Sequence, residues 1–150
     1  MSKIETFSVD RYSLMPPPEA MDSFMGNFYL IKAELKNVSS AQWRRVIIHS
    51  MQSFSDLHRE LLQAFGLSNN HLAAFHEYSR AQTNLICEAN QAYGIFNPAL
   101  FLADVVEDKV GYKMHYTYNF EPPLMAVLTV EQVVKTRDDL SGRIAMSSRD

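Results

Sequence analysis

Three groups of side chains in this 150-residue chain are of the types that chemistry uses. The first is Trp43-Arg44-Arg45, an indole beside two guanidiniums. Arginine matches carboxylate and phosphate bidentately, so one of the pair is a candidate anion site. In extended backbone, neighbouring side chains point to opposite faces, so Arg44 and Arg45 do not converge on one ligand. The competing reading covers Trp43 with an arginine through a cation–π contact worth about 0.5–1 kcal/mol when exposed. The second group is the five histidines, with Asp56 and Glu77 as carboxylates that would complete a metal site. Their spacing argues against one. His71 and His76 are five residues apart, which in a strand places them on opposite faces. His58 falls about 60° from the centre of a helical apolar stripe, where a capping or hydrogen-bonding histidine sits. The third is the lone cysteine, Cys87, in Leu85-Ile86-Cys87-Glu88. A nucleophilic cysteine needs a base and a lowered pKa, and an apolar-flanked one is more often a small buried residue.

No Gly-rich phosphate loop, His-Glu-x-x-His helix or Gly-x-Ser-x-Gly elbow occurs. With five glycines in all, backbone cradles for phosphate are scarce. The tyrosines Tyr112, Tyr116 and Tyr118, with Phe120, would stack nucleic-acid bases if exposed beside cations, and would fill a core if buried. Fourteen Lys and Arg against seventeen Asp and Glu leave a formal charge of −3, which offers no general attraction to phosphate backbones or anionic lipid.

These residues need elements to hold them. Composition, at 47% hydrophobic and 21% charged, is that of a folded globular protein. One cysteine excludes an internal disulfide, no secretory layout opens the chain and no apolar run reaches a membrane span, so a cytoplasmic protein away from membranes is expected. Residues 1–27 contain Met15-Pro16-Pro17-Pro18 and read as an extended arm with apolar side chains able to dock on the body or on a second copy. Residues 28–131 read as one domain and 132–150 as a polar tail. Period-two alternation predicts a strand from Phe28 to Lys36, a hairpin partner over Trp43–Ile48, and a strand over Val110–Phe120. Ser53 with Asp56 three residues on predicts a capped helix from Phe54 to Phe65, ended by Gly66. His71–Tyr78 is a further candidate strand, Asn97-Pro98 suits the start of a short helix ending near Glu107, and Leu124–Val130 reads as a last, buried strand. Residues 79–96 have no clean period. The sum is an α+β domain: a mixed, mostly antiparallel sheet of about five strands with one main helix on one face, in a β-grasp-like topology.

The motifs and their order resemble the plasmid pRiA4b ORF-3-like family. The matching pieces are Leu35-Lys36, Trp43-Arg44-Arg45-Val46, Leu57-His58, Ala64-Phe65-Gly66, His71-Leu72 with Phe75, Leu102, Asp104-Val105, and Tyr116-x-Tyr118-Asn119-Phe120. The resemblance spans roughly residues 28–131. It implies a small α+β domain from a family largely of unknown function, and a plasmid context. Glu121 and Pro122 stand where the family has Gly-Asp, and Leu124 where it has Trp, so any site built on that segment is altered here.

Taken together, the residues predict a non-catalytic binding or protein-interaction module without metal or other cofactor, whose expected partner is a protein or a second copy of the chain. The candidate contact residues are Trp43, Arg44, Arg45, His58 and His71. The alternative is a plasmid-associated factor that binds or processes nucleic acid, favoured by the arginines and tyrosines and opposed by net charge.

Overall fold

Alternation in Phe28–Leu35 sends Tyr29, Ile31 and Ala33 to one side of the first strand and Leu30, Lys32 and Glu34 to the other. The computed structural model describes residues 26–68, 72–81, 84–88, 100–118, 123–140 and 144–148. The expected N-terminal arm therefore lies almost wholly outside the described residues, as do His71, Phe120 and the Asn97-Pro98 helix start. Within them, β1 (Phe28–Leu35), β2 (Trp43–His49), β3 (Ala73–Glu77), β4 (Leu85–Glu88), β5 (Lys113–Tyr118) and β6 (Leu124–Val134) form one sheet in the order β2-β1-β6-β5-β3-β4.

Every neighbouring pair is antiparallel. The α+β class stands, but the sheet has six strands rather than about five, no mixed pairing, and not the parallel union of first and last strands that a β-grasp requires. The extra strand is β4, a short edge strand whose burial does not alternate, so it leaves no periodic signature. The antiparallel union of β1 with β6 is a pairing across nearly a hundred residues, which local pattern does not encode.

The main helix, α1, runs Phe54–Phe65, the span its capping pattern predicts. Ser53 Oγ accepts from the Asp56 N–H at 3.2 Å, and Asp56 Oδ2 accepts from the Ser53 N–H at 3.1 Å. Gly66, at φ 70°, turns the chain left-handed, and Leu67 N–H donates to Leu62 C=O at 2.8 Å to close the end. Open space surrounds the position a Gly66 Cβ would take, so its conformation, not crowding, calls for glycine.

A short second helix, α2, spans Leu102–Val106. Phe101, only 3% exposed, stands before it, bridging to Ser53 and donating its N–H to Asp104 Oδ2 at 3.0 Å. Leu102 and Ala103 N–H groups donate to the carbonyls of Gln52 and Ser50, tying α2 to the start of α1. Its far end carries Glu107 and Asp108 at φ 53° and 55°. Tyr29 Oη donates to Asp108 Oδ1 at 2.8 Å and accepts from the Asp108 N–H at 3.2 Å, which holds that left-handed pair in place.

Both helices cover one face of the sheet. Between them and the strands lies the main core, including Tyr29, Ile31, Phe54, Leu57, Phe75 and Tyr116. Fully burying each such side chain stabilises the fold by about 1.5–3 kcal/mol. The other face is thinly covered by the described residues: Phe28 and Leu30 pack with Leu140 of a 3₁₀ turn, Arg137–Leu140. Within the stretch read as a polar tail, residues 132–134 complete β6 opposite Leu30, Tyr29 and Phe28, past an irregularity between Leu30 and Ile31. Residues 146–148 lie along the outer edge of β2, with Arg45 N–H on Met146 C=O and Ser148 N–H on Trp43 C=O.

Candidate functional site

The register of β1 with β2 puts Trp43 opposite Glu34 and Arg45 opposite Lys32, on the thinly covered face. There the indole lies between two cations: Arg45 Cζ is 4.7 Å and Lys32 Nζ 4.9 Å from its ring centre. The Arg45 guanidinium is fully engaged. Nε donates to Glu131 Oε1 at 2.7 Å and Nη1 to the Ala145 carbonyl at 2.7 Å. Arg44 points the other way, as the strand period requires. Its Nε donates to the Ala64 carbonyl at 3.1 Å and its Nη1 to the Trp43 carbonyl at 2.9 Å, with Cζ 5.2 Å from the Phe65 ring centre. The last turn of α1 has no basic residue of its own, so Arg44 supplies from β2 the cation that a helix C-terminus favours. Both arginines are thus hydrogen-bonded within the protein.

His58 is fully buried, not at the rim of the helix. Its Nδ1 shares a 2.8 Å hydrogen bond with Tyr116 Oη, and its ring also meets that of Tyr118. Tyr118 Oη donates to the Ser68 carbonyl. The alternating tyrosines of β5 therefore fill the core, with burial pushing the Tyr116 phenol well above its ordinary range. Trp43 and His58 lie on opposite sides of the sheet and do not share a site.

Cys87 sits on the edge strand β4 opposite Phe75. Burial pushes its thiol up to about 12, so it stays protonated near neutral pH and lacks the thiolate that nucleophilic attack requires. Among the described residues no cluster of three or more His, Cys, Asp or Glu is arranged to hold a metal. No described helix is long and apolar enough to cross a membrane.

The same alternation that buries Met114, Tyr116 and Tyr118 turns Lys113, His115 and Thr117 outward onto the thinly covered face. His115 lies opposite His76 of β3. Tyr78, just past β3, stacks on His115 with ring centres 4.9 Å apart and planes within 19°. Lys113 Nζ is 5.4 Å from the Tyr78 ring centre, and His115 Nε2 bonds the Ser79 carbonyl at 3.0 Å. A cavity of about 460 Å³ opens here, lined by Tyr78, Ser79, Arg80 and His115. Beside it, His76 Nδ1 is buried with no hydrogen-bond partner among the described residues. Sequence reading passed over this cluster. Its one local signal was the outward half of the β5 alternation; Tyr78 and Arg80 join it only through pairing of β3 with β5.

The family model for plasmid pRiA4b ORF-3-like proteins matches residues 27–148, which contain the whole sheet and both helices. The chain belongs to the plasmid pRiA4b ORF-3-like family. The match runs past residue 131 to the strand-like contact of residues 146–148 with β2, so the pRiA4b ORF-3-like unit extends further than the motifs alone indicated. The fold is also similar to the crystal structure of a protein of unknown function, MM3350, from Methanosarcina mazei Go1. TM-score is 0.59 and identity 19%, over 83% of this chain and 68% of that one. At that identity the likeness concerns the fold. A comparison with curated proteins finds no match.

Proposed function

We propose that this protein is a non-catalytic binding module whose working surface is the sheet face opposite α1 and α2, centred on Tyr78, Arg80, Lys113 and His115. The observation that carries this reading is the contrast in how polar groups are used. Arg44, Arg45 and His58 are each tied to protein partners, whereas Arg80 and Lys113 are exposed beside a cavity and belong to no ion pair among the described residues. A surface built this way attracts an anionic partner, and none of the described residues near it is an activated nucleophile.

Native mass spectrometry of protein purified without chelator or high salt tests the reading by measuring subunit stoichiometry and retained mass together. Retained mass that disappears with Lys113→Glu and persists with Arg59→Glu, on the exposed side of α1, is the expected result. A retained mass indifferent to Lys113→Glu, or chemical conversion of the bound molecule by the protein, overturns it.

A second reading follows from Tyr78 itself, which is 53% exposed on a sheet face beside cations, the arrangement with which single-strand binders stack bases. It requires binding to single-stranded oligonucleotide that weakens steeply with salt.

A further inference from the structure

We propose that the cavity lined by Tyr78, Ser79, Arg80 and His115 is a seat for the phosphate of a small ligand the size of a nucleoside diphosphate. This inference rests on the binding-module reading above and specifies what the module takes.

The cavity is rimmed by donors. Tyr78 offers a hydroxyl and Arg80 a guanidinium. His115 Nε2 donates to the Ser79 carbonyl, which only accepts, so its N–H is used within the protein and the ring serves the cavity as a wall rather than as a donor. Lys113 adds a second full positive charge at the Tyr78 ring. The nearest acid in sequence, Glu77, alternates to the other side of β3, and its carboxylate accepts from Asn84 Nδ2 at 3.2 Å. Two cations in no ion pair among the described residues, one lining the cavity and one at the Tyr78 ring, make a surface that a phosphate completes.

Size narrows the ligand. A volume of about 460 Å³ lies within the range of small-molecule sites, roughly 300–1,000 Å³, and exceeds what a bare inorganic anion fills. The remaining space is bounded by aromatic and imidazole rings already stacked, so the wall is in place before binding, which limits the entropy lost on association. A planar group carrying one or two phosphates uses both features.

Isothermal titration of the full chain with adenosine 5′-diphosphate, inorganic pyrophosphate and adenosine tests the proposal, with circular dichroism of each variant to confirm folding. Binding of the diphosphate nucleotide is expected, with pyrophosphate weaker and adenosine undetected. Arg80→Gln is expected to weaken nucleotide binding by about tenfold or more, because a charge-assisted bond is lost. Tyr78→Leu should weaken the nucleotide more than pyrophosphate, while Arg59→Gln changes neither. Equal binding of nucleotide and pyrophosphate keeps the phosphate seat and removes the planar part. No binding of either phosphate compound at millimolar concentration, binding unaffected by Arg80→Gln, or binding of oligonucleotide alone overturns the proposal. If the retained mass of the preceding experiment still depends on Lys113 in that event, the module survives and only its phosphate ligand falls.

Discussion

On the helix side of the sheet, Tyr29, Ile31, Phe75 and Tyr116 are at most 1% exposed, and the buried Tyr116 and His58 hydrogen-bond to each other. On the other side, Lys113, Tyr78 and Arg80 stand in solvent around a cavity. One set of strands builds both surfaces, because successive residues of a strand must point in opposite directions. The difference lies in what covers them. Two helices close one face; among the described residues, a 3₁₀ turn and a short terminal segment lie over the β1/β2 end of the other. Histidine shows the contrast within one residue type: His58 is a core hydrogen-bonding group, while His115 stacks with an exposed tyrosine at the cavity.

That contrast makes graded predictions. Phe54→Ala removes a fully buried ring that meets Phe75 edge-on, and should cost about 3–5 kcal/mol in a denaturant-unfolding experiment. Tyr78→Ala in the same experiment should stay within about 0.5 kcal/mol; a large loss there would mean the open face is structural rather than functional. Tyr116→Phe keeps the ring but leaves His58 Nδ1 short of a partner in the core, and should destabilise by about 1–3 kcal/mol. Arg45→Ala, which loses Glu131, the Ala145 carbonyl and the Trp43 ring together at a half-exposed site, should cost about 1 kcal/mol.

Alkaline pH should also separate the faces. Burial, helped at Tyr29 by the contact with Asp108, holds the phenols of Tyr29 and Tyr116 above the ordinary value of 10.0. A raised folded-state pKa means their contribution is fully present below pH 10. It declines as pH rises further, because the unfolded phenols ionise first. Unfolding midpoints measured from pH 8 to 11 should be flat and then fall, and Tyr29→Phe, which lacks the ionisable group, should reduce the fall. The smallest effect concerns Cys87, whose thiol at about 12 should react with iodoacetamide at pH 8 far more slowly than a free thiol. Rapid labelling of the folded protein would show that β4 opens readily.

Local features of the chain were legible wherever the physics is local. The capping pair Ser53 and Asp56, the left-handed Gly66 and the alternation of β1, β2 and β5 each depend on residues within one turn or a few strand positions. The prediction that Arg44 and Arg45 diverge needed only the strand period. Their roles did not follow from it, because Ala64 and Glu131 are 20 and 86 residues away from their arginines. Edge strand β4 has neither alternation nor length to announce it.

Residue types and spacing therefore determined the elements other than β4, the α+β class and the family, since propensity, capping and periodicity act over short stretches. Only the tertiary structure decided the strand order, the burial of His58 and the meeting of Tyr78 and Arg80 with Lys113 and His115. Those depend on pairing β1 with β6 and β3 with β5, and on which face two helices happen to cover. Such choices are settled by the summed burial of a whole core, which no short window of sequence contains.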